Sequence, residues 1–311
     1  MSSGIVTAFA PATVGNVGIG FDILGHTVKA VGDRVRARRV PEPGVRITGI
    51  TGSQADLPLE AEKNTAGMAL VSMVSALSLP FGIEISIEKG IPLGSGLGGS
   101  AASAVAAVVA ANALLEQPLS KLELLKFAMH GEAVASGSVH VDNIAPSLFG
   151  GLVLTVGIDH PRTKQIPVPP SVRCVLVHPH MFLSTREARR ILKKTVDLSD
   201  VVWQAANLAG FLSGCYTNDL EMIRDAFEDV IIEPQRSQLI PGFKAVKQAA
   251  MANGALGCSI SGAGPTVFAW CEEHYAQGAR AAMVEAFAEH NLASDHWVSA
   301  IDTEGARVVD G

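Results

Sequence analysis

The chain has 311 residues, 48% of them apolar and 17% charged, with a formal net charge of −6. That length and apolar share suit a folded globular protein with one large core or two ordinary ones, and exclude a disordered chain. The acidic balance, with no stripe of Lys and Arg interleaved with aromatics, argues against nucleic acid as a partner.

Alternation and punctuation predict short strands at residues 5–8, 26–38 and 45–50, then a helix over 65–77 and a strand over 83–88. A glycine-rich loop follows, then two helices. The second opens on Ser120-Lys-Leu-Glu123, a capping box, and is expected to close near Gly137. A strand at 148–156 leads into a Pro-rich stretch, 160–170, which reads as a junction between lobes. Beyond it come a strand at 172–177, helices at 185–194, 199–213 and 242–252, and strands at 258–261, 266–271 and 297–300, with a helix between the last two. Strands and helices mix without strict alternation, so the predicted class is α+β in two similar lobes. Cys174, Cys215, Cys258 and Cys271 are far apart and form no CxxC pair, which points to reduced, buried thiols. No leader peptide is legible, and the longest apolar run, 101–115, is short of the ~20 residues of a membrane span. The expectation is a cytoplasmic protein with no membrane partner.

Three glycine clusters stand out: PATVGNVGIGFD (11–22), PLGSGLGGSAAS (92–103) and GCSISGAGPT (257–266). Any one of them alone reads most simply as turn punctuation. The second is more telling, because a strand enters it and an Ala-rich helix leaves it at about Gly99, so its amides converge on a helix N-terminus, a ready anion site. It is not a Walker A loop, since no Lys-Ser/Thr pair follows the glycines. Gly94, Gly96 and Gly99 match the dinucleotide fingerprint, but a second helix follows where that motif needs a second parallel strand ending in an acid.

In this order and spacing the three clusters resemble the three motifs of the GHMP kinases, over essentially the whole chain. HVDNIAPSLFGG (140–151), STREAR (184–189), EPQRSQLIPGF (233–243) and IDTEGARVV (301–309) resemble the homoserine-phosphorylating branch of that family. The resemblance implies a two-lobed fold, with an ATP-binding lobe over 1–158 and a second lobe over 159–311, nucleotide and substrate lying in the cleft between them. It implies ATP and Mg²⁺, transfer of a phosphoryl group to the side-chain hydroxyl of L-homoserine in threonine biosynthesis, and admits a homodimer. A kinase of another small alcohol, or an ATP-binding sensor that has lost catalysis, are the alternatives.

By the same resemblance Pro92, Leu93, Gly94, Ser95, Gly96, Leu97, Gly98, Gly99, Ser100 and Ser103 wrap the ATP phosphates, and Glu132 acts with Ser100 on Mg²⁺. Independently, Glu132 lies opposite the face formed by Glu123, Lys126 and His130, and a carboxylate on the apolar side needs a cation or strong donors. An internal salt bridge would satisfy it as well as a metal. A zinc site is not expected, since His130 and His140 lack the HExxH arrangement. Arg189 and Arg236 fall at the family's carboxylate clamps, a task suited to the planar guanidinium fork. Asp22 is the expected partner of the ammonium or hydroxyl, with Asn16, His140 and Asn143 completing the polar lining, although His140 alone would pass for a structural histidine. Asn143 stands where some relatives are thought to place an Asp base. An amide takes no proton, so it is expected to orient the hydroxyl while general-base catalysis is absent. Asn64 and Lys89 fall at the adenine end, where a helix cap and a surface charge explain them nearly as well.

Overall fold

The structure, a computed structural model, describes residues 4–52, 57–136, 140–157 and 160–310. Its strands are β1 (Val6–Gly15), β2 (Leu24–Val40), β3 (Val45–Thr51), β4 (Gly82–Glu88), β5 (Leu152–Val156), β6 (Arg162–Ile166), β7 (Val172–Pro179), β8 (Ala255–Ile260), β9 (Val267–Glu272), β10 (Ser294–Ser299) and β11 (Arg307–Val309). The helices are α1 (Thr65–Leu77), α2 (Gly99–Asn112), α3 (Lys121–Ser136), α4 (Val141–Phe149), α5 (Thr185–Arg190), α6 (Leu198–Thr217), α7 (Leu220–Ala226), α8 (Glu233–Arg236), α9 (Phe243–Ala252) and α10 (Glu273–Glu289). Mixed helices and antiparallel sheets give the α+β class expected.

The first sheet runs β11-β1-β2-β4-β3, with β5 paired to the leading end of β2 and β6 outside β5. Every pairing in it is antiparallel except β3 with β4. Over residues 33–38 of β2 the period of two holds: Asp33, Val35 and Ala37 are buried while Arg34, Arg36 and Arg38 are exposed. The second sheet, β10-β7-β9-β8, is antiparallel throughout. Its two faces also alternate. Val175, Val177, Val267 and Ala269 pack under α9 and α10, whereas Cys174, Leu176, Phe268 and Trp270 join the core that continues under the first sheet. There Phe211, Phe227, Phe268 and Trp270 cluster with ring centroids 5.1–6.0 Å apart. Trp270 Nε1 donates to His26 Nε2 of β2 at 3.0 Å, joining the two sheets. Burial holds that imidazole neutral, its pKa lowered to about 4.

Helix α2 is buried on all sides, from Ala101 to Ala111, which its run of Ala and Val permits by letting β1, β2, α1, α3 and α4 approach closely. Helix α3 begins as its sequence requires: Ser120 N–H donates to Glu123 Oε2 at 2.8 Å, and Glu123 N–H donates back to Ser120 Oγ at 3.4 Å. Its expected end at Gly137 lies outside the described residues.

Several elements depart from the sequence reading. β1 runs on to Gly15 because a register shift between Pro11 and Thr13 accommodates the proline. Residues 141–149, expected to enter a strand at 148, form α4 despite Pro146. That proline has no N–H to give the Asp142 carbonyl, and this turn packs directly on Gly25, where a Cβ would overlap the carbonyl. β6 lies inside the stretch read as a junction, and β11 returns to pair with β1, so residues numbered beyond 158 contribute two strands to the first sheet.

Candidate active site

The phosphate-type loop, 92–98, is held by the other two glycine clusters through its carbonyl oxygens. Thr266 N–H donates to Ser95 O at 3.2 Å, Ser261 Oγ to Gly96 O at 2.8 Å, and Thr13 N–H to Leu97 O at 3.1 Å. With these three carbonyls engaged, the loop and the start of α2 line a cleft of about 200 Å³. The first amides of a helix have no intrahelical acceptor, so Gly99 to Ala101 present donors and the positive end of the dipole there. Gly98 has to be glycine: its φ is +67°, and a Cβ would run into Thr13 Oγ1 and the Asn143 side chain.

The cleft is lined by Asn16, Asp22, Glu132, His140, Asn143, Arg189 and Arg236, the polar residues expected there, together with Pro92 to Gly96, Gly98, Gly99 and Ser100 of the loop. Leu97 is instead a core side chain. Ser103 faces away, into a buried ion pair. Its hydroxyl donates to Asp33 Oδ2 at 2.7 Å, and Lys89 Nζ sits against the same carboxylate while donating to Gly99 O and Ser103 Oγ, both at 2.8 Å. Lys89 is therefore not a surface charge but 6% exposed. Asp33 Oδ1 accepts from the amides of Gly90 and Ile91 at 3.0 and 3.1 Å, so one carboxylate ties β2 to the loop's entrance and to α2. Asn64 caps α1, its Oδ1 accepting from Ala66 N–H at 3.0 Å and its Nδ2 donating to Pro58 O at 3.1 Å. Asn64 and Lys89 line a second cleft of about 170 Å³, walled by Leu57, Pro58 and Ile87, that meets the first at Leu93 and Ser100.

Breaking a buried pair leaves an uncompensated charge, which costs about 3–5 kcal/mol. Asp33→Asn is expected to lose on the order of 3 kcal/mol in urea unfolding, and Lys89→Met in the same chain to recover part of it. An additive double variant would show that the two residues are not coupled.

Glu132 is turned inward, 2% exposed, while Glu123, Lys126 and His130 of the same helix face solvent. Ser100 Oγ donates to Glu132 Oε1 at 3.0 Å, and His140 Nδ1 lies 3.2 Å from the same oxygen. Burial alone would lower the His140 pKa, but the Glu132 hydrogen bond and charge, with Asp142 beyond, raise it above its ordinary value. Among the described residues no group of three or more His, Cys, Asp and Glu is arranged to hold a metal by itself. A hydroxyl and a carboxylate at the phosphate end of a cleft fit Mg²⁺, which takes few protein oxygens and draws the rest of its ligands from phosphates and water.

At the other end, the Arg189 guanidinium grips Asp22 with both forks, at 2.7 and 3.0 Å. Arg236, 3% exposed, donates to two backbone carbonyls, Ala188 O at 3.1 Å and Gly262 O at 2.9 Å. Burial, then the nearby Arg189, lower its pKa to about 10. Thr13 Oγ1 donates to Asn143 Oδ1 at 2.8 Å, and the amide nitrogen of that side chain donates to no other described residue.

Sequence reasoning missed Asp142, Thr185, Gly262 and Ala263 in the cleft wall, and Asp33 beneath it. Asp142 is 2% exposed. One oxygen accepts from Asn16 N–H at 3.1 Å and the other, Oδ1, has no hydrogen-bond partner among the described residues. Burial, then Asp22, push its pKa up to about 6. Its signal was adjacency to Asn143 in a quoted segment. The signal for Asp33 was parity, an acid on the inward face of β2 in step with Val35 and Ala37.

Comparison with known proteins places this arrangement. The model of the GHMP kinases N terminal domain matches residues 64–151, and that of the GHMP kinases C terminal domain matches 211–289. A homoserine kinase of Xylella fastidiosa (strain M12) is 51% identical over 303 residues, 97% of this chain and 93% of its own. One of Chlorobium phaeobacteroides (strain DSM 266) is 44% identical over 317 residues, 98% and 99% of the two chains. The crystal structure of homoserine kinase from Cytophaga hutchinsonii superposes with a TM-score of 0.96 at 45% identity, covering 99% of this chain and 98% of that one.

Proposed function

The chain belongs to the GHMP kinases, in their homoserine kinase branch, and we propose that it moves the γ-phosphoryl group of ATP onto the side-chain hydroxyl of L-homoserine, giving O-phospho-L-homoserine for threonine synthesis. One observation carries this reading: a single cleft has helix-terminal amides, Ser100 and Glu132 at one end and two guanidinium groups with two carboxylates at the other. A sugar or mevalonate offers no amino-acid zwitterion to match the second end.

In this reading the triphosphate lies along residues 92–100 and the adenine end enters the cleft beside Asn64 and Lys89, against Leu57, Pro58 and Ile87. Ser100 and Glu132 would hold Mg²⁺, whose chemistry is to neutralise charge on the phosphates. Ser103 and Lys89 act through Asp33 by fixing the loop's entrance rather than by reaching a phosphate. The substrate carboxylate meets Arg189 and Arg236, the ammonium sits between Asp22 and Asp142, with Asn16 and His140 alongside, and Asn143 Nδ2 donates to the hydroxyl oxygen. Phosphoryl transfer is largely positioning and charge neutralisation, so an amide in that place is enough. The lobes are proposed to divide between residues 158 and 159, which lie outside the described residues, with β6 and β11 pairing with the first sheet. The cytoplasm is the proposed location. A homodimer is proposed through α6, whose Leu198, Val202, Trp203 and Tyr216 are exposed by 54–78%; light scattering would return twice the chain mass.

ADP release from Mg-ATP, measured with L-homoserine, L-serine, L-threonine, mevalonate, galactose and shikimate, tests the assignment. Strong turnover with L-homoserine is expected; turnover confined to another alcohol would discard it. The pH dependence follows from Asp142. Its raised pKa means that the folded protein holds a proton between about pH 4 and pH 6 that the unfolded chain has released, so its contribution to stability is lost as pH rises through that window. The substrate ammonium needs the ionised form. Below pH 6, kcat/KM for L-homoserine should therefore fall while kcat at saturation stays level, and Asp142→Asn should abolish the limb. A limb in kcat that disappears in that variant would instead make Asp142 the base.

A further inference from the structure

Phe21 has no place in the reading so far, and it does not line the cleft. Its ring centroid is nevertheless 5.2 Å from the Arg189 Cζ and 5.0 Å from the Arg236 Cζ. Both guanidinium groups are within the ~6 Å over which an aromatic quadrupole attracts a cation. The two cations repel one another; among the described residues Arg189 is in a salt bridge with Asp22, whereas Asp22, Asp142 and Asp229 act on Arg236 without a direct ion pair. Arg236 is buried, and its guanidinium donates to two backbone carbonyls.

The turn carrying Phe21 is tied down on both sides. Asp22 N–H donates to Asn16 Oδ1 at 2.9 Å, and Asn16 Nδ2 donates at 2.9 Å to Gly262 O, the same carbonyl that receives Arg236 Nη1. The ring is thus fixed relative to both arginines by a path that does not pass through its own contacts with them. We propose that Phe21 is a positioning residue whose π face sets the spacing and orientation of the two guanidinium groups that receive the substrate carboxylate. This rests on the reading of Arg189 and Arg236 as the carboxylate site.

Leu and Met replace the apolar volume of the ring but not its quadrupole. Phe21→Leu and Phe21→Met are expected to raise the KM for L-homoserine about ten-fold, the ~1.4 kcal/mol scale of a partly desolvated cation–π contact. kcat and the KM for ATP should stay within about twofold, since neither the loop nor Asn143 is touched. Phe21→Tyr or Phe21→Trp should restore the parent KM. A residue that only fills space would give parent values with Leu and Met, and that result overturns the proposal. So would aromatic variants that are both as poor as Leu. Arg189→Ala and Arg236→Ala, measured alongside, separate the two levels: if neither raises the KM, the carboxylate reading itself fails, whereas if both do and Phe21→Leu does not, only the role of Phe21 is lost.

Discussion

Glu132→Gln is expected to lower kcat about a hundred-fold while leaving the KM for ATP within about twofold, the scale of removing one charged group from transition-state stabilisation. Glutamine keeps the shape of the side chain and an oxygen for the Ser100 hydroxyl, so the loop and α3 stay in register. What it removes is the negative charge of a residue 2% exposed to solvent, placed beside the first turn of α2 where the phosphates would lie. In the proposed reading ATP would be bound mainly by the loop amides and the apolar walls near Leu57 and Ile87, none of which the substitution alters. Single-turnover kinetics and the Mg²⁺ dependence of nucleotide binding would separate the two effects. Parent turnover in Glu132→Gln would remove Glu132 from the metal-holding role and return it to the simpler one of a buried hydrogen-bond acceptor for Ser100 and His140.

The second large effect is expected at Arg236. Arg236→Ala should raise the KM for L-homoserine about a hundred-fold, since hydrogen bonds between charged groups are worth ~1.5–3 kcal/mol and this one forms away from water. Its pKa, lowered to about 10 because burial and Arg189 outweigh the pull of Asp22, Asp142 and Asp229, marks an interior cation that an anionic ligand would favour. The substitution also takes the donor from the Ala188 carbonyl and leaves the Gly262 carbonyl with Asn16 Nδ2, so a fall in stability of about 1–3 kcal/mol should accompany it. Arg236→Lys should recover little, because a single ammonium cannot span two carbonyls and a carboxylate in one plane. A KM that does not move would dismiss Arg236 as a clamp. The KM for ATP is the internal control, and it should stay level throughout.

The legibility of the site differed by residue type. The loop at 92–100 was readable because a helix N-terminus needs no tertiary partner to be an anion site, and Glu132 because helical phase alone put it on the apolar face of α3. Asp33 was equally available through strand parity, yet a lone acid in a run of Arg and Val reads as one more surface charge. Lys89 misled for the same reason: in sequence it is a lysine at a strand end, and only the position of Asp33 shows it buried. Asp142 could be found in sequence only by its place beside Asn143, because its distinguishing features, an unpartnered oxygen and the repulsion from Asp22, come from residues more than a hundred positions away.

Local chemistry alone thus determined what is settled by neighbours along the chain: the α+β class, most of the strands and helices, the capping of α3, and the phosphate-type loop. Residues 141–149 were the main exception, because Pro146 argues locally against a helix and packing of α4 on β1 and β2 prevailed. The tertiary structure decided which charges meet. The Arg189–Asp22 pair, the Asp33–Lys89–Ser103 knot, the three clamps on the loop's carbonyls and the contact of Phe21 with two arginines all join residues far apart in sequence. Their energies depend on separation and burial, since charge and dipole interactions strengthen as water is excluded. Neither quantity is a property of the chain until both sheets have closed around the site.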